Sequence, residues 1–202
     1  MYKYTTPIVW LTRLIVGAYP QWKGCTPSAH QRIYFANHTS HLDTIVLWSS
    51  LPREIRSKVR PVAAKDYWGP SASPIRRSIA KELNVVLVDR RRTEACDPMA
   101  PLRECLAEGS SMIIFPEGTR RPQAIPSAFK SGIWRLAREF PNVELIPVYI
   151  ENLHRAMPKG SLIPVPTICS VRFGAPLPFS PDDPKEEFLN RARQAVIDLA
   201  EQ

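Results

Sequence analysis

Short apolar runs rich in β-branched and aromatic residues alternate along this chain with segments of helical period, and that alternation confines it to a few architectures. The runs are Ile33-Tyr34-Phe35, Arg60 to Ala64, Val85 to Val88, Met112 to Phe115, Glu144 to Ile150 and Val165 to Phe173. Between them, residues at helical spacing supply inward faces: Ile75, Ile79, Ala80 and Leu83; Leu102, Cys105 and Leu106; Phe129, Ile133, Leu136 and Ala137; Phe188, Ala192, Val196 and Leu199. Ser73-Pro74, Asp97-Pro98 and Asp183-Pro184-Lys185-Glu186 are start signals, and Gly109 is a stop signal; a helix is expected over Ser127 to Phe140, and Lys65-Asp66-Tyr67-Trp68 reads as a loop. The expected fold is an α/β single-domain sandwich with a mixed, largely parallel sheet flanked by helices. Pro147 falls inside the Glu144 to Ile150 run, which implies an edge, an end or a bulge there.

Residues 1–24 read differently. From Pro7 to Trp22, Ile8, Leu11, Ile15 and Ala18 recur at helical spacing, with Trp10, Tyr19 and Trp22 as amphipathic aromatics. Arg13, Gly17 and Pro20 interrupt the segment, so it falls short of the roughly twenty apolar residues that a membrane span needs. A short N-terminal amphipathic helix is expected, lying in a membrane interface or docked on the protein, ahead of one folded domain over 25–202. The chain's 21 prolines scatter singly between apolar runs and mark element boundaries and stiff loops.

The chemistry gathers where the first strand ends. Ile33-Tyr34-Phe35 leads into Asn37-His38-Thr39-Ser40-His41-Leu42-Asp43, where Ser40 and Asp43 form the Ser-x-x-acid pattern of a helix start. His38 then stands in the turn, and Asp43 in the first helical turn can fold back to the imidazole. Such a carboxylate fixes the tautomer and stabilises the imidazolium, as a general base requires. The chain has no Gly-x-Ser-x-Gly elbow and no cysteine in a comparable setting, so the nucleophile is expected from the substrate. Two other readings of these residues stand beside this one. Ser40 and Asp43 can serve only as a cap, and His38, His41 and Asp43 can be grouped as metal ligands.

A second cluster, Phe115-Pro116-Glu117-Gly118-Thr119-Arg120, leaves another strand at a tight turn. With 27 basic against 19 acidic residues, the net charge of +8 calls for an anionic partner. Arg76-Arg77, Arg90-Arg91-Arg92 and Arg120-Arg121 are dispersed through the chain, and no zinc-finger, helix-turn-helix or RNP signature accompanies them. Nucleic acid is thereby disfavoured against an anionic bilayer or a phosphate-bearing substrate. Cys25, Cys96, Cys105 and Cys169 show no Cys-x-x-Cys spacing, and no secretory signal is recognisable, so reduced thiols in a cytoplasmic setting are expected.

An Asn-His-x-Ser-x-x-Asp segment followed about seventy residues later by Phe-Pro-Glu-Gly-Thr-Arg resembles the glycerolipid acyltransferase superfamily, and within it the 1-acyl-glycerol-3-phosphate acyltransferases. Val88-Asp89-Arg90 is similar to the family's second motif and Leu145-Ile146-Pro147-Val148 to its fourth. Phe129-Lys130-Ser131-Gly132 looks like the Phe-Lys-x-Gly that follows the third motif. The resemblance implies transfer of a fatty acyl group from acyl-CoA or acyl carrier protein to the hydroxyl of 1-acyl-glycerol-3-phosphate, giving phosphatidate. Glycerol 3-phosphate and other lysolipids are the alternative acceptors. It implies His38 and Asp43 as the catalytic pair, with Arg90, Glu117, Gly118, Thr119 and Arg120 binding substrate. Neither a metal nor a bound cofactor is implied, and the expected location is cytoplasmic, peripheral to the inner face of a membrane.

Overall fold

The computed structural model describes residues 9–10, 12–13, 16–17, 19–40, 42–89, 97–121, 123, 125–151 and 169–202. Their order is β1 (Tyr19–Trp22), β2 (Arg32–Ala36), α1 (Asp43–Ser50), α2 (Arg53–Arg56), β3 (Val59–Ala64), α3 (Lys65–Trp68), α4 (Pro74–Glu82), β4 (Val86–Val88), α5 (Ala100–Ala107), β5 (Ser111–Ile114), α6 (Gly132–Glu139), β6 (Glu144–Ile150), β7 (Ser170–Phe173) and α7 (Lys185–Asp198). The strands make one seven-stranded sheet in the order β1-β7-β6-β2-β5-β3-β4, parallel throughout except for the antiparallel β6–β7 pair. The α/β fold with a mixed, largely parallel sheet is therefore as the alternation demands.

Central strands of such a sheet are covered on both faces, so their residues are continuously apolar and their alternation is between two cores. In β2, Tyr34 and Ala36 join Val46, Leu47, Trp48 and Leu51 of the α1 side, while Ile33 and Phe35 face Leu102 and Leu106 of α5, Ile133 and Leu136 of α6, and Phe188 of α7. All five residues of β2 are buried. Complete burial of a side chain such as Phe35 stabilises the fold by roughly 1.5–3 kcal/mol. Because β2 and its partners β5 and β6 run parallel, their exits fall on one side of the sheet. Chemistry placed at those exits converges there.

Three expectations need correction. A helix through Trp22 does not form: residues 9–10, 12–13 and 16 are helical, Gly17 at φ +70° ends them, and Tyr19–Trp22 pairs with β7. Trp22 stacks on Phe173 at 4.1 Å between ring centroids, and this packing draws the segment into the sheet. The apolar positions Ile8, Leu11, Ile15 and Ala18 lie outside the described residues. The helix expected over Ser127 to Phe140 begins only at Gly132, because the preceding backbone makes other bonds: Ser127 N–H to Glu117 and Lys130 N–H to the Pro116 carbonyl. Lys65–Trp68, read as loop, forms one helical turn.

Pro147 is placed where a strand proline can be tolerated. β6 is internal, but β7 ends at Phe173, and the Pro147 carbonyl accepts from Gly174 N–H at 2.9 Å. The proline nitrogen faces the same way as its carbonyl, past the last β7 ladder pair.

Candidate active site

The exit of β2 is held from three directions. Asn37 works as a strand extension: its Nδ2 donates to the Ile150 carbonyl at 3.0 Å, and its Oδ1 accepts from Ile150 N–H at 2.8 Å. His38 N–H donates to Glu117 Oε1 at 2.8 Å, and the His38 carbonyl accepts from Arg121 N–H at 2.9 Å. The β5 exit loop thus grips the His38 backbone on both sides. Its Phe115 also stacks on the imidazole, with centroids 4.3 Å apart and planes 20° from parallel.

The expected His–carboxylate pair is present. His38 Nδ1 lies 2.8 Å from Asp43 Oδ2, and the same oxygen accepts from Thr39 N–H at 2.6 Å and Ser40 N–H at 2.9 Å. Asp43 is fully buried at the start of α1, and Oδ1 has no hydrogen-bond partner among the described residues. The carboxylate closes the turn ahead of α1 and orients the ring, while the helix itself starts without a side-chain cap bond. With Nδ1 engaged, Nε2 is the ring nitrogen left to exchange a proton, and the side chain keeps 16% exposure.

Glu117 was read from sequence as a substrate-contacting residue. It is 4% exposed, and its carboxylate accepts from His38 N–H, from Ser127 N–H at 2.9 Å and from Ser127 Oγ–H at 2.8 Å. These bonds tie the two motifs together across 79 residues of chain. No local sequence pattern announces Ser127, since its partner lies ten residues back in the same irregular β5–α6 connection. Gly118, at φ +71°, occupies the left-handed region that glycine tolerates best, and its N–H donates to the Phe115 carbonyl at 3.0 Å. Thr119 and Arg120 are exposed. Arg120 stacks on Tyr67 of α3 with 5.1 Å from its guanidinium carbon to the ring, and Arg76 of α4 stacks on the same ring at 4.2 Å. Partial burial draws the Arg120 guanidinium down from its ordinary value.

His38, Gly118 and Arg120 line a crevice of about 420 Å³. Most of the remaining wall is apolar, with Val62, Val88, Leu102, Ile114, Ile133 and Leu136 from both sheet and helices, and Thr44, Asp66 and Lys130 add polar groups. Arg90 and His41 lie outside the described residues; among the described residues no three His, Cys, Asp or Glu side chains are grouped to hold a metal ion. Cys169 offers no nucleophile: burial first, then the charges of Asp43 and Glu151, push its thiol up to about 11. The His38 turn is the natural place to look for an oxyanion donor, but the N–H groups of His38, Thr39 and Ser40 already serve carboxylates.

The strand exits of this α/β sheet present a carboxylate-oriented histidine, with one ring nitrogen left for proton exchange, to a crevice with cationic and apolar walls. The chain belongs to the acyltransferase family, whose model matches residues 23–151. It is 26% identical to the 1-acyl-sn-glycerol-3-phosphate acyltransferase of Cocos nucifera, over 83% of this chain and 52% of that protein. It is 31% identical to a Dictyostelium discoideum protein named taffazin, over 67% of this chain and 50% of that one. The chain therefore spans about half the length of these relatives. The crystal structure of the 1-acyl-sn-glycerophosphate acyltransferase PlsC from Thermotoga maritima shares its fold, with a TM-score of 0.73 and 22% identity over 99% of this chain and 80% of that one.

Proposed function

We propose that this protein transfers a fatty acyl group from a thioester donor to the free hydroxyl of 1-acyl-glycerol-3-phosphate, giving phosphatidate. The observation that carries the reading is the His38–Asp43 pair, with Nε2 as the ring nitrogen left for proton exchange, on a crevice that is cationic at Arg120 and mostly apolar beyond. His38 Nε2 takes the proton of the acceptor hydroxyl as its oxygen attacks the thioester carbonyl. Asp43 holds the ring and balances the imidazolium. Collapse of the tetrahedral intermediate expels the thiolate, which recovers that proton from His38. No acyl-enzyme forms, so the chemistry needs no protein nucleophile.

Arg120 meets the acceptor's phosphate, and its planar fork suits two parallel hydrogen bonds. Gly118 and Thr119 shape the turn that carries it, Glu117 fixes that turn to His38, and Arg90 adds a further cation at the end of β4. The apolar walls take an acyl chain. The donor is a thioester of coenzyme A or of acyl carrier protein. Among the described residues no helix is long and apolar enough to cross a membrane, so contact with an anionic bilayer falls to the surface, where Trp10 and Tyr19 are more than half exposed. The chain ahead of β1 serves as the docking segment, and β1 itself belongs to the folded domain.

The test is thiol release from acyl-CoA and from acyl carrier protein, each with and without lysophosphatidate. Acceptor-dependent release that falls at least ~10³-fold in His38→Ala supports the assignment. Equal release by native protein and variant would sink it.

A further inference from the structure

Lys130 belongs to neither motif that defines the site, yet it lines the same crevice. Its backbone N–H donates to the Pro116 carbonyl at 2.9 Å, which pins it beside the β5 exit. From there the side chain runs across Gly118. A Cβ added to Gly118 would stand 2.7 Å from Lys130 Nζ, 2.9 Å from Cε and 3.0 Å from Cδ. Glycine at this position thus does more than permit φ +71°: its missing side chain leaves the groove in which the end of Lys130 rests. Asp66 is the acidic side chain lining the crevice, and among the described residues Lys130 forms no ion pair with it or with any other carboxylate.

We propose that Lys130 is a phosphate-binding cation of the site, seated by Gly118 and acting beside Arg120. The reason is charge and position. A phosphate monoester carries about −1.5 to −2 at neutral pH, and among the described residues Arg120 and Lys130 are the arginine and lysine that line the crevice. The two cations differ in kind: Arg120 presents a planar fork, whereas a lysine ammonium is a compact charge with three rotatable donors. The phosphate can belong to the acceptor or to the coenzyme A part of the donor. The inference rests on the acyl-transfer reading for its biological meaning but not for its test.

The experiment is calorimetric titration of native protein, Lys130→Met and Gly118→Ala with sn-glycerol 3-phosphate and, separately, with coenzyme A. Methionine keeps an unbranched apolar stem and removes the ammonium with its charge and donors. Lys130→Met is expected to bind one of the two ligands about tenfold more weakly. Loss against sn-glycerol 3-phosphate assigns the cation to the acceptor, and loss against coenzyme A assigns it to the donor. Gly118→Ala, checked for native-like melting, is expected to weaken the same ligand, because the added methyl displaces Nζ. Unchanged affinities in Lys130→Met, or no binding of either ligand by the native protein, would overturn the proposal. A folded Gly118→Ala that binds like native overturns the seating. Lysophosphatidate turnover is measured on the same samples. Binding that depends on Lys130 in a native protein without turnover would leave this site standing and remove the acyl-transfer reading.

Discussion

A nitrogen side chain stands beside a carboxylate near each end of strand β2, and the two pairs have opposite outcomes. At the entrance, Arg32 is 4% exposed; its Nε meets Glu144 Oε2 at 2.7 Å and its Nη1 donates to the Thr26 carbonyl at 2.8 Å. Just past the exit, His38 meets Asp43 at the same range, 2.8 Å, but through one ring nitrogen only, and the ring borders a crevice. The first pair spends its donors on the fold. The second fixes orientation while leaving a titratable nitrogen for a ligand. A histidine–carboxylate contact is thus a candidate for chemistry because of what it leaves unused, and the Arg32 end supplies the internal control.

The largest effect that would break this contrast is expected at Asp43. In Asp43→Asn the amide still offers one oxygen to the Thr39 and Ser40 N–H groups, but it no longer supplies the charge that holds Nδ1–H and stabilises the imidazolium. Acyl transfer should fall by ~10³-fold or more, with a stability loss of about 1–2 kcal/mol. Steady-state kcat and a thermal melt on the same preparation separate the two. A variant within tenfold of native activity would make the exit pair structural, like its counterpart at the entrance.

Glu117 tests whether the grip on the His38 backbone matters to the site or only to the fold. Glutamine cannot accept from both His38 N–H and Ser127 N–H, because one of its two terminal atoms is itself a donor. One buried N–H then loses its partner, at a cost of about 1–3 kcal/mol. In the proposed mechanism the bond to His38 positions the general base, so kcat is expected to fall ~10-fold in Glu117→Gln, with KM for lysophosphatidate within about twofold of native. A rise in KM at unchanged kcat would return Glu117 to the direct substrate contact that its place in the motif suggests.

What the sequence discloses and conceals follows from the range of the interactions. The His38–Asp43 pair is legible because both partners sit within one turn, and the helix-start pattern fixes their separation. The parallel sheet is legible because β2, β5 and β6 are each continuously apolar. The bracing of His38 by Glu117 and Arg121 and the Asn37 clamp on Ile150 join separate strand ends, and the seat of Lys130 on Gly118 folds one irregular connection onto itself. No periodicity encodes them. The same holds for Tyr19–Trp22, whose aromatic residues fit an amphipathic helix until the stack on Phe173 is known. Local pattern reveals which residue types are gathered, whereas long-range pairing decides which of them hold the site and which face the ligand.

The smallest expected effect sharpens the comparison from its structural end. Burial opposes the charge of Glu144, but the hydrogen bond and field of Arg32, helped by His30 at 3.6 Å, hold its carboxyl below the usual 4.5. A carboxylate with a depressed folded-state value stabilises the protein above its unfolded value, and that contribution is lost as the pH falls through the folded one. Replacing it in Glu144→Gln leaves Arg32 buried with a weaker, neutral partner. Glu144 is itself a third exposed, so the cost should lie between that of an exposed pair and a buried one, about 1–3 kcal/mol near neutrality. In urea melts the gap between native and Glu144→Gln should stay constant from pH 7 to about pH 5 and close below 4.5. Activity at neutral pH should remain within twofold of native, because no atom of this pair borders the crevice. A kcat loss as large as that of Glu117→Gln would show that the two ends of β2 are coupled through the sheet, and the division between a pair that holds the fold and a pair that serves the site would fall.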